Sequence, residues 1–288
     1  MNFPFYKLAV GRNDLILINL MGEALPDEEL LPILAKRICR RRRGVGASGL
    51  ILLFDHEEAV AGLRFFTRRG EELSRFYDPI LCAARYLFDS GHAGTKALTL
   101  GTPEGIRSIE AIDSSSFRIS LGKATDAEGN EFHEMIEKEG GTYLAVEGRT
   151  YPVTPVLLSY LWGIFFFNAD PRKGMAKIGK PMAASRLFSR KFHPVFVQIY
   201  SDDDIAFWPW WRKGSGYREL SLAAAAAAAG SAARGFTNRS LMARCGSYDL
   251  YLEWREGDGE FLCTAGAEYI FTGDYFFDEE LFYGGGGA

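Results

Sequence analysis

A chain of 288 residues, 47% hydrophobic and 24% charged, has the composition of a globular protein with room for two ordinary domains. A formal net charge of −4 excludes any general attraction to nucleic acid or anionic membranes. Cys39, Cys82, Cys245 and Cys263 form no CxxC pair and none lies at zinc-ligand spacing from His56, His92, His133 or His193. No metal site is therefore predicted, and the expected state of the cysteines is buried thiols in a reducing cytoplasm. The opening MNFPFYKLAV lacks a basic region ahead of a long apolar core, so no signal peptide is expected.

Phe5–Val10 and Leu15–Leu20 read as strands joined by the turn Gly11–Asp14. Pro26–Glu29 predicts a helix start with acids in its first turn, and the helix closes on the run Arg37–Arg43 before Gly44. That run reads as the solvated helix end, where cations suit the C-terminal dipole, with nuclear targeting or nucleic-acid contact as the alternative. The GVGASG stretch, Gly44–Gly49, looks like a phosphate loop but precedes the strand Leu50–Phe54 instead of following one, which argues against a nucleotide site. From Leu63 the chain runs through a Gly70 turn into the helix PILCAARYLF, where Pro79 suits a first helical position and Asp78 an N-cap. Strands are predicted near Lys96–Leu100, Ile106–Ile112 and Phe117–Leu121. Polar Ala124–Gly140 then connects two halves, with room for a short helix.

Beyond it, strands are predicted at Tyr143–Val146, Leu157–Asn168, Val195–Tyr200 and Ile205–Trp211, and a helix at Met182–Phe188. Seven consecutive alanines, Ala223–Ala229, predict a helix from about Glu219 to about Arg234. This helix is small and apolar on every side, so it is expected to be buried and wrapped by sheet. It is too short to span a bilayer. Tyr248–Trp254 and Glu260–Thr264 form a hairpin across Gly257–Gly259, followed by Glu268–Thr272. Strand, glycine turn and small-residue helix thus occur twice, roughly 140 residues apart, which suggests two similar halves.

These segments resemble a known family. FYKLAVGRND (Phe5–Asp14) looks like an opening hairpin with Asn-Asp after a glycine turn. RICRRRRGVGASGLILL (Arg37–Leu53), LRFFTRRGEE (Leu63–Glu72), RLFSRKFHPVFV (Arg186–Val197), RKGSG (Arg212–Gly216) and the closing Asp249–Tyr275 look like further family segments. Together they resemble diaminopimelate epimerase and its relatives, the cofactor-independent amino-acid racemases and epimerases, over nearly the whole chain. The resemblance implies an α/β (mixed α+β) fold of two pseudo-symmetric halves, each a curled mixed sheet around a central helix, with a cleft between them. The halves are expected at 1–124, rejoined by about 273–288, and at 125–272. No cofactor is implied.

In the family two cysteines, one ahead of each central helix, remove and deliver the α-proton, and the helix dipoles favour thiolate and bind the substrate carboxylate. Here the matching positions are Phe76 in SRFYDP and Ser221 in RELSLA. The glycines that let backbone amides cradle a carboxylate have gone to Tyr77 and Pro79 and to Leu222 and Ala224, and Pro79 removes one donor outright. Asn13 is kept among the family's asparagines, while the later ones become Thr67, Trp162 and His193; Arg212-Lys213 replaces a Glu-Arg pair.

Two readings follow. One is a non-catalytic relative that binds an amino-acid-like or other small anion, or serves as a subunit. Its ligand candidates are Asn13, Tyr77, Trp162, His193, Arg212, Lys213 and Tyr217, with Trp208, Trp210 and Trp211 filling substrate space or simply packing. The other is an isomerase that uses Asp78, Glu219 and Ser221 as proton-handling groups, against the plainer reading of Glu219 as a first-turn acid and His193 as a solvent-facing loop residue. A homodimer is the family expectation. No nucleic-acid or membrane partner is expected.

Overall fold

The computed structural model describes residues 1–94, 96–126, 135–138, 140–184, 192–211 and 217–278. They form two compact units. The first holds Met1–Ile119, Tyr217, Arg218 and the segment from Gly266 onward; the second holds the described parts of Ser120–Ser215 and Glu219–Ala265.

The first unit contains β1 (Asn2–Val10), β2 (Asn13–Asn19), α1 (Leu31–Ile38), β3 (Gly49–Phe54), β4 (Ala61–Thr67), β5 (Glu72–Leu73) and α2 (Asp78–Asp89). It continues with β6 (Ala97–Thr102), β7 (Gly105–Ala111) and the start of β8 (Ser116–Lys123), and is completed by β20 (Glu268–Phe276). Its sheet runs β20-β1-β2-β3-β4-β6-β7-β8. The pairings β2–β3 and β4–β6 are parallel and the rest antiparallel.

The second unit contains β9 (Thr125–Asp126), β10 (Met135–Lys138), β11 (Gly141–Val146), β12 (Arg149–Pro152), β13 (Thr154–Leu158), β14 (Tyr160–Phe167) and α3 (Met175–Ala184). It continues with β15 (Phe192–Ser201), β16 (Asp204–Pro209), α4 (Leu220–Ala233), β17 (Ser240–Cys245), β18 (Tyr248–Trp254) and β19 (Glu260–Gly266). Its order is β9-β13-β14-β15-β16-β17-β18-β19. Here β14–β15 and β16–β17 are the parallel steps. The succession of parallel and antiparallel pairings is the same in both units. So is the placement of helices: α1 connects β2 to β3 as α3 connects β14 to β15, and α2 comes between β4 and β6 as α4 comes between β16 and β17. The twofold plan suggested by the sequence is therefore a repeat of topology.

Burial shows why the two central helices are central. In α4 every residue from Leu220 to Ser231 is buried, and the helix touches β13 through β18. Consecutive burial cannot come from one contact face; it requires sheet on all sides, which a charge-free alanine surface permits. In α2 the buried set runs Asp78–Ala84 plus Tyr86 and Leu87, against β1–β4. Gly230 shows how close the packing is, since a Cβ there would lie 2.8 Å from Ile164 Cγ1. Gly230→Ala is therefore expected to lower the melting temperature. The clash, about 1–3 kcal/mol, outweighs the gain of about 1 kcal/mol in helix propensity. A rise in melting temperature would show that Ile164 yields.

Several expectations are corrected. The first helix begins at Leu31 with Pro32 in its first turn and no acid there, so Pro26–Glu29 precedes it. Leu157–Asn168 is two strands, β13 and β14, folded back at Ser159, whose φ is 58°. Tyr143–Val146 is a strand as expected, part of β11, and lies in a separate three-stranded sheet, β10-β11-β12. The Ala124–Gly140 connector carries strands β9 and β10, with 127–134 outside the described residues. The helix expected at Met182–Phe188 is Met175–Ala184, and 185–191 lie outside the described residues. The second half does not extend to residue 272, because Glu268–Phe276 pairs with β1 in the first unit. Among the described residues no helix is long and apolar enough to cross a membrane.

Candidate functional site

The entry to α2 is built from four segments of the first unit. Phe76, two residues ahead of the helix, is 4% exposed and sets its ring 5.7 Å from that of Phe65. Tyr217 meets the same Phe65 ring at 4.7 Å. Tyr77, 3% exposed, is the N-cap residue but makes no side-chain cap bond, and the Arg107 guanidinium lies over its ring at 5.8 Å. Arg107 is held in place by Glu104, which also binds Arg75. Burial alone would raise the Glu104 carboxyl; its bonds to Arg75 and Arg107 outweigh that and hold it below the usual value.

Asp78 is not the N-cap. It is the first helical residue, fully buried, with Pro79 after it, and its Oδ2 accepts from Asn13 Nδ2 at 3.2 Å. The same Asn13 nitrogen donates to the Arg218 carbonyl at 2.6 Å. One amide, itself 3% exposed, thus ties the start of β2 to the start of α2 and to the residues before α4. A buried carboxylate needs such partners, because leaving it unmatched is costly.

At α4 the N-cap is Glu219, buried and extended, without a side-chain cap bond; it stands before the first turn, not within it. Ser221 is the second helical residue and fully buried.

Trp162 and His193 are directly opposed on the parallel pair β14–β15, with rings 5.0 Å apart. Tyr160 and Trp211 complete the cluster, at 5.3 Å and 5.9 Å from the His193 ring. Trp162 is 1% exposed and spends its Nε1–H on the Leu158 carbonyl at 3.0 Å. His193 is thus a strand residue and not a loop histidine, and burial pushes its pKa down to about 4. Trp208 and Trp210 pack instead with Leu161, Phe165, Met182 and Phe196. Arg212 and Lys213 lie outside the described residues.

His193 makes stability pH-dependent. Its depressed folded value means that the neutral ring stabilises the fold fully above the unfolded pKa of 6.5. That contribution is lost as pH falls from there through about 4. The full difference is about 3 kcal/mol, reached below pH 4. Chemical denaturation at pH 7 and pH 4 is expected to show a smaller acid loss for His193→Phe than for wild type; equal losses would refute the assignment.

All four cysteines are buried thiols. Burial raises Cys39 to about 12, and it raises Cys82, with Asp78 nearby, well above the normal thiol value. Cys82 sits in the body of α2, not at its start. Neither thiol carries the ionised sulfur that proton abstraction needs.

No family model matches the sequence. The chain is 29% identical over 281 residues to the diaminopimelate epimerase of Moorella thermoacetica, covering 94% of this chain and 98% of that one. Its fold is similar to a phenazine biosynthesis protein of the PhzF family from Bacillus anthracis (TM-score 0.66, 14% identity, 96% and 100% covered). It is also similar to a probable proline racemase from Agrobacterium radiobacter K84 (TM-score 0.65, 13% identity, 96% and 94% covered).

The chain is diaminopimelate-epimerase-like. In this diaminopimelate-epimerase-like chain, Phe76 and Ser221 stand where the resemblance puts the sulfurs. Phe76 is a packed ring two residues ahead of α2, and Ser221 is a buried hydroxyl at the second position of α4. The structure brings Asn13 to Asp78, and Trp162 to His193. Sequence reasoning missed Phe65, Arg107, Glu104 and Tyr160. The ring contacts and ion pairs that recruit them link residues distant in sequence and leave no local pattern.

Proposed function

We propose that this diaminopimelate-epimerase-like chain is a non-catalytic relative that does not run two-thiol proton transfer. It keeps the shell either to bind an amino-acid-like or other small anionic ligand or to serve as a subunit. The observation that supports this most is Phe76, which presents no exchangeable proton and is packed against Phe65 at the start of α2. Other candidate groups in each unit are committed internally: Asn13 to Asp78 and Arg218, Tyr77 beneath Arg107, and, in the second unit, Trp162 to Leu158. Buried thiols fit a reducing compartment such as the cytoplasm, and a homodimer is the assembly proposed by resemblance.

A second reading rests on Asp78, a carboxylate wholly enclosed at a helix start. On this reading Asp78, with Glu219 and Ser221 at α4, would move protons in an isomerisation.

Thermal-shift titration with amino acids and small dicarboxylates separates the readings when paired with assays of Asp78→Asn and Glu219→Gln. Stabilisation by a ligand with no proton exchange supports binding. No ligand effect, together with a defined oligomer by light scattering, supports the subunit role. Exchange in the wild type that either variant abolishes would replace the proposal with the isomerase.

A further inference from the structure

The arginine run closes α1 as a solvated helix end, with Arg37 in the last turn, but most of the run lies past the helix. Helix α1 stops at Ile38 with Cys39 as its cap, so Arg40–Arg43 lie in the turn beyond. Backbone amides already serve the carbonyls there: Gly44 N–H donates to Arg40 O, Gly46 N–H to Ile38 O and Ala47 N–H to Cys39 O. The guanidinium groups are therefore not needed to cap the helix, and the question is what they face.

They face a second arginine-bearing turn. Arg40, Arg41, Arg42, Arg43, Arg68 and Arg69, together with Cys39, line a groove of about 640 Å³ in the first unit. The turns are rigidly juxtaposed. Arg68 N–H donates to Ser48 O at 3.1 Å, and Ser48 N–H to Asp14 O at 2.7 Å. A Cβ on Gly70 would lie 2.3 Å from Pro32 O, and one on Gly44 2.3 Å from Arg37 O, so both turns lie directly on α1. Gly46 has a φ of 80° and passes so near Arg41 that a side chain would not fit.

Charge is strongly unbalanced in this groove. Asp14 binds Arg41 through both oxygens, at 2.7 and 2.9 Å, and also holds Lys7 and Ser48. Among the described residues no carboxylate pairs with Arg40, Arg42, Arg43 or Arg68. Holding several guanidinium groups together in one concavity, unneutralised, costs repulsion that a polyanion would relieve. Planar guanidinium forks match phosphate oxygens two at a time.

We infer that this groove binds a small polyphosphate-bearing anion, recognised by its phosphate chain. A long nucleic acid fits less well, because the chain is acidic overall, at −4, and the basic surface is one short groove, not an extended stripe.

The test is isothermal titration of the purified full chain with sodium tripolyphosphate, with ATP and with a 20-base-pair DNA duplex, at two salt concentrations. Tripolyphosphate is expected to bind, more weakly at higher salt. Arg42→Gln/Arg43→Gln is expected to lose about tenfold or more in affinity per arginine. Adding Arg68→Gln is expected to abolish binding. These side chains are exposed, so melting temperatures should stay at the wild-type value, and Arg149→Gln, in the second unit, should leave binding unchanged. Equal affinity for ATP and tripolyphosphate supports recognition of the phosphate chain alone, and tighter ATP binding supports a nucleotide source. No binding of either at millimolar concentration, unchanged affinity in the triple variant, or preference for the duplex would overturn the inference.

Discussion

Diaminopimelate incubated with the wild-type protein in D₂O is expected to keep its Cα protons, as read by NMR. Each general acid–base group contributes about 10²–10⁴-fold, so losing both places any residual rate at least about 10⁴-fold below that of a two-thiol epimerase. Putting sulfur back is expected not to restore it. In Phe76→Cys/Ser221→Cys, Pro79 still lacks an amide proton in the first turn of α2, and Leu222 and Ala224 still stand where the family has glycine. Removing the Phe76 ring also opens a hole beside Phe65, at a cost of about 3–5 kcal/mol if nothing collapses into it. Exchange by the wild type, on the other hand, would mean that Asp78 or Glu219 carries the chemistry.

Ala226→Leu in α4 is expected to produce the largest loss of stability. Ala226 is fully buried in a helix that touches six strands. Three added carbon atoms have no free side to turn to, so neighbouring side chains must leave their rotamers or the backbone must shift. Such overpacking costs about 3 kcal/mol or more in a site this enclosed. The same change at exposed Ala233, in the last turn, should stay within about 0.5 kcal/mol. Urea melts of the two variants, compared with wild type, check this. Similar midpoints for both would mean that α4 is not wrapped as described.

What could be read from the residues was what is local. The alanine run specified α4 to within a residue or two, since helix propensity and the absence of any polar face point the same way. The hairpin of β18 and β19 was equally plain from alternation and its glycine turn. The entry to α2 was not. Asp78 before Pro79 has the local form of a cap, but its hydrogen bond runs to Asn13, 65 residues earlier, and a buried carboxylate follows its partner rather than a turn preference. His193 looked like a loop residue because Pro194 follows it. Register with Trp162 across a parallel strand pair places it among aromatic rings instead. The basic run was legible as the solvated end of α1, with Arg37 in its last turn, but the exact stop at Ile38 was not, because it depends on carbonyls satisfied from Gly44, Gly46 and Ala47.

The account turns on the claim that no sulfur of this chain is placed to exchange a proton. Timed titration of the native protein with a disulfide reagent at pH 8 reads this directly. Cys39, Cys82, Cys245 and Cys263 are buried, so the account predicts no fast-reacting thiol in the folded protein and four in guanidinium chloride. One thiol that reacts within seconds in the folded state, and above all a pair protected together by diaminopimelate, would contradict it.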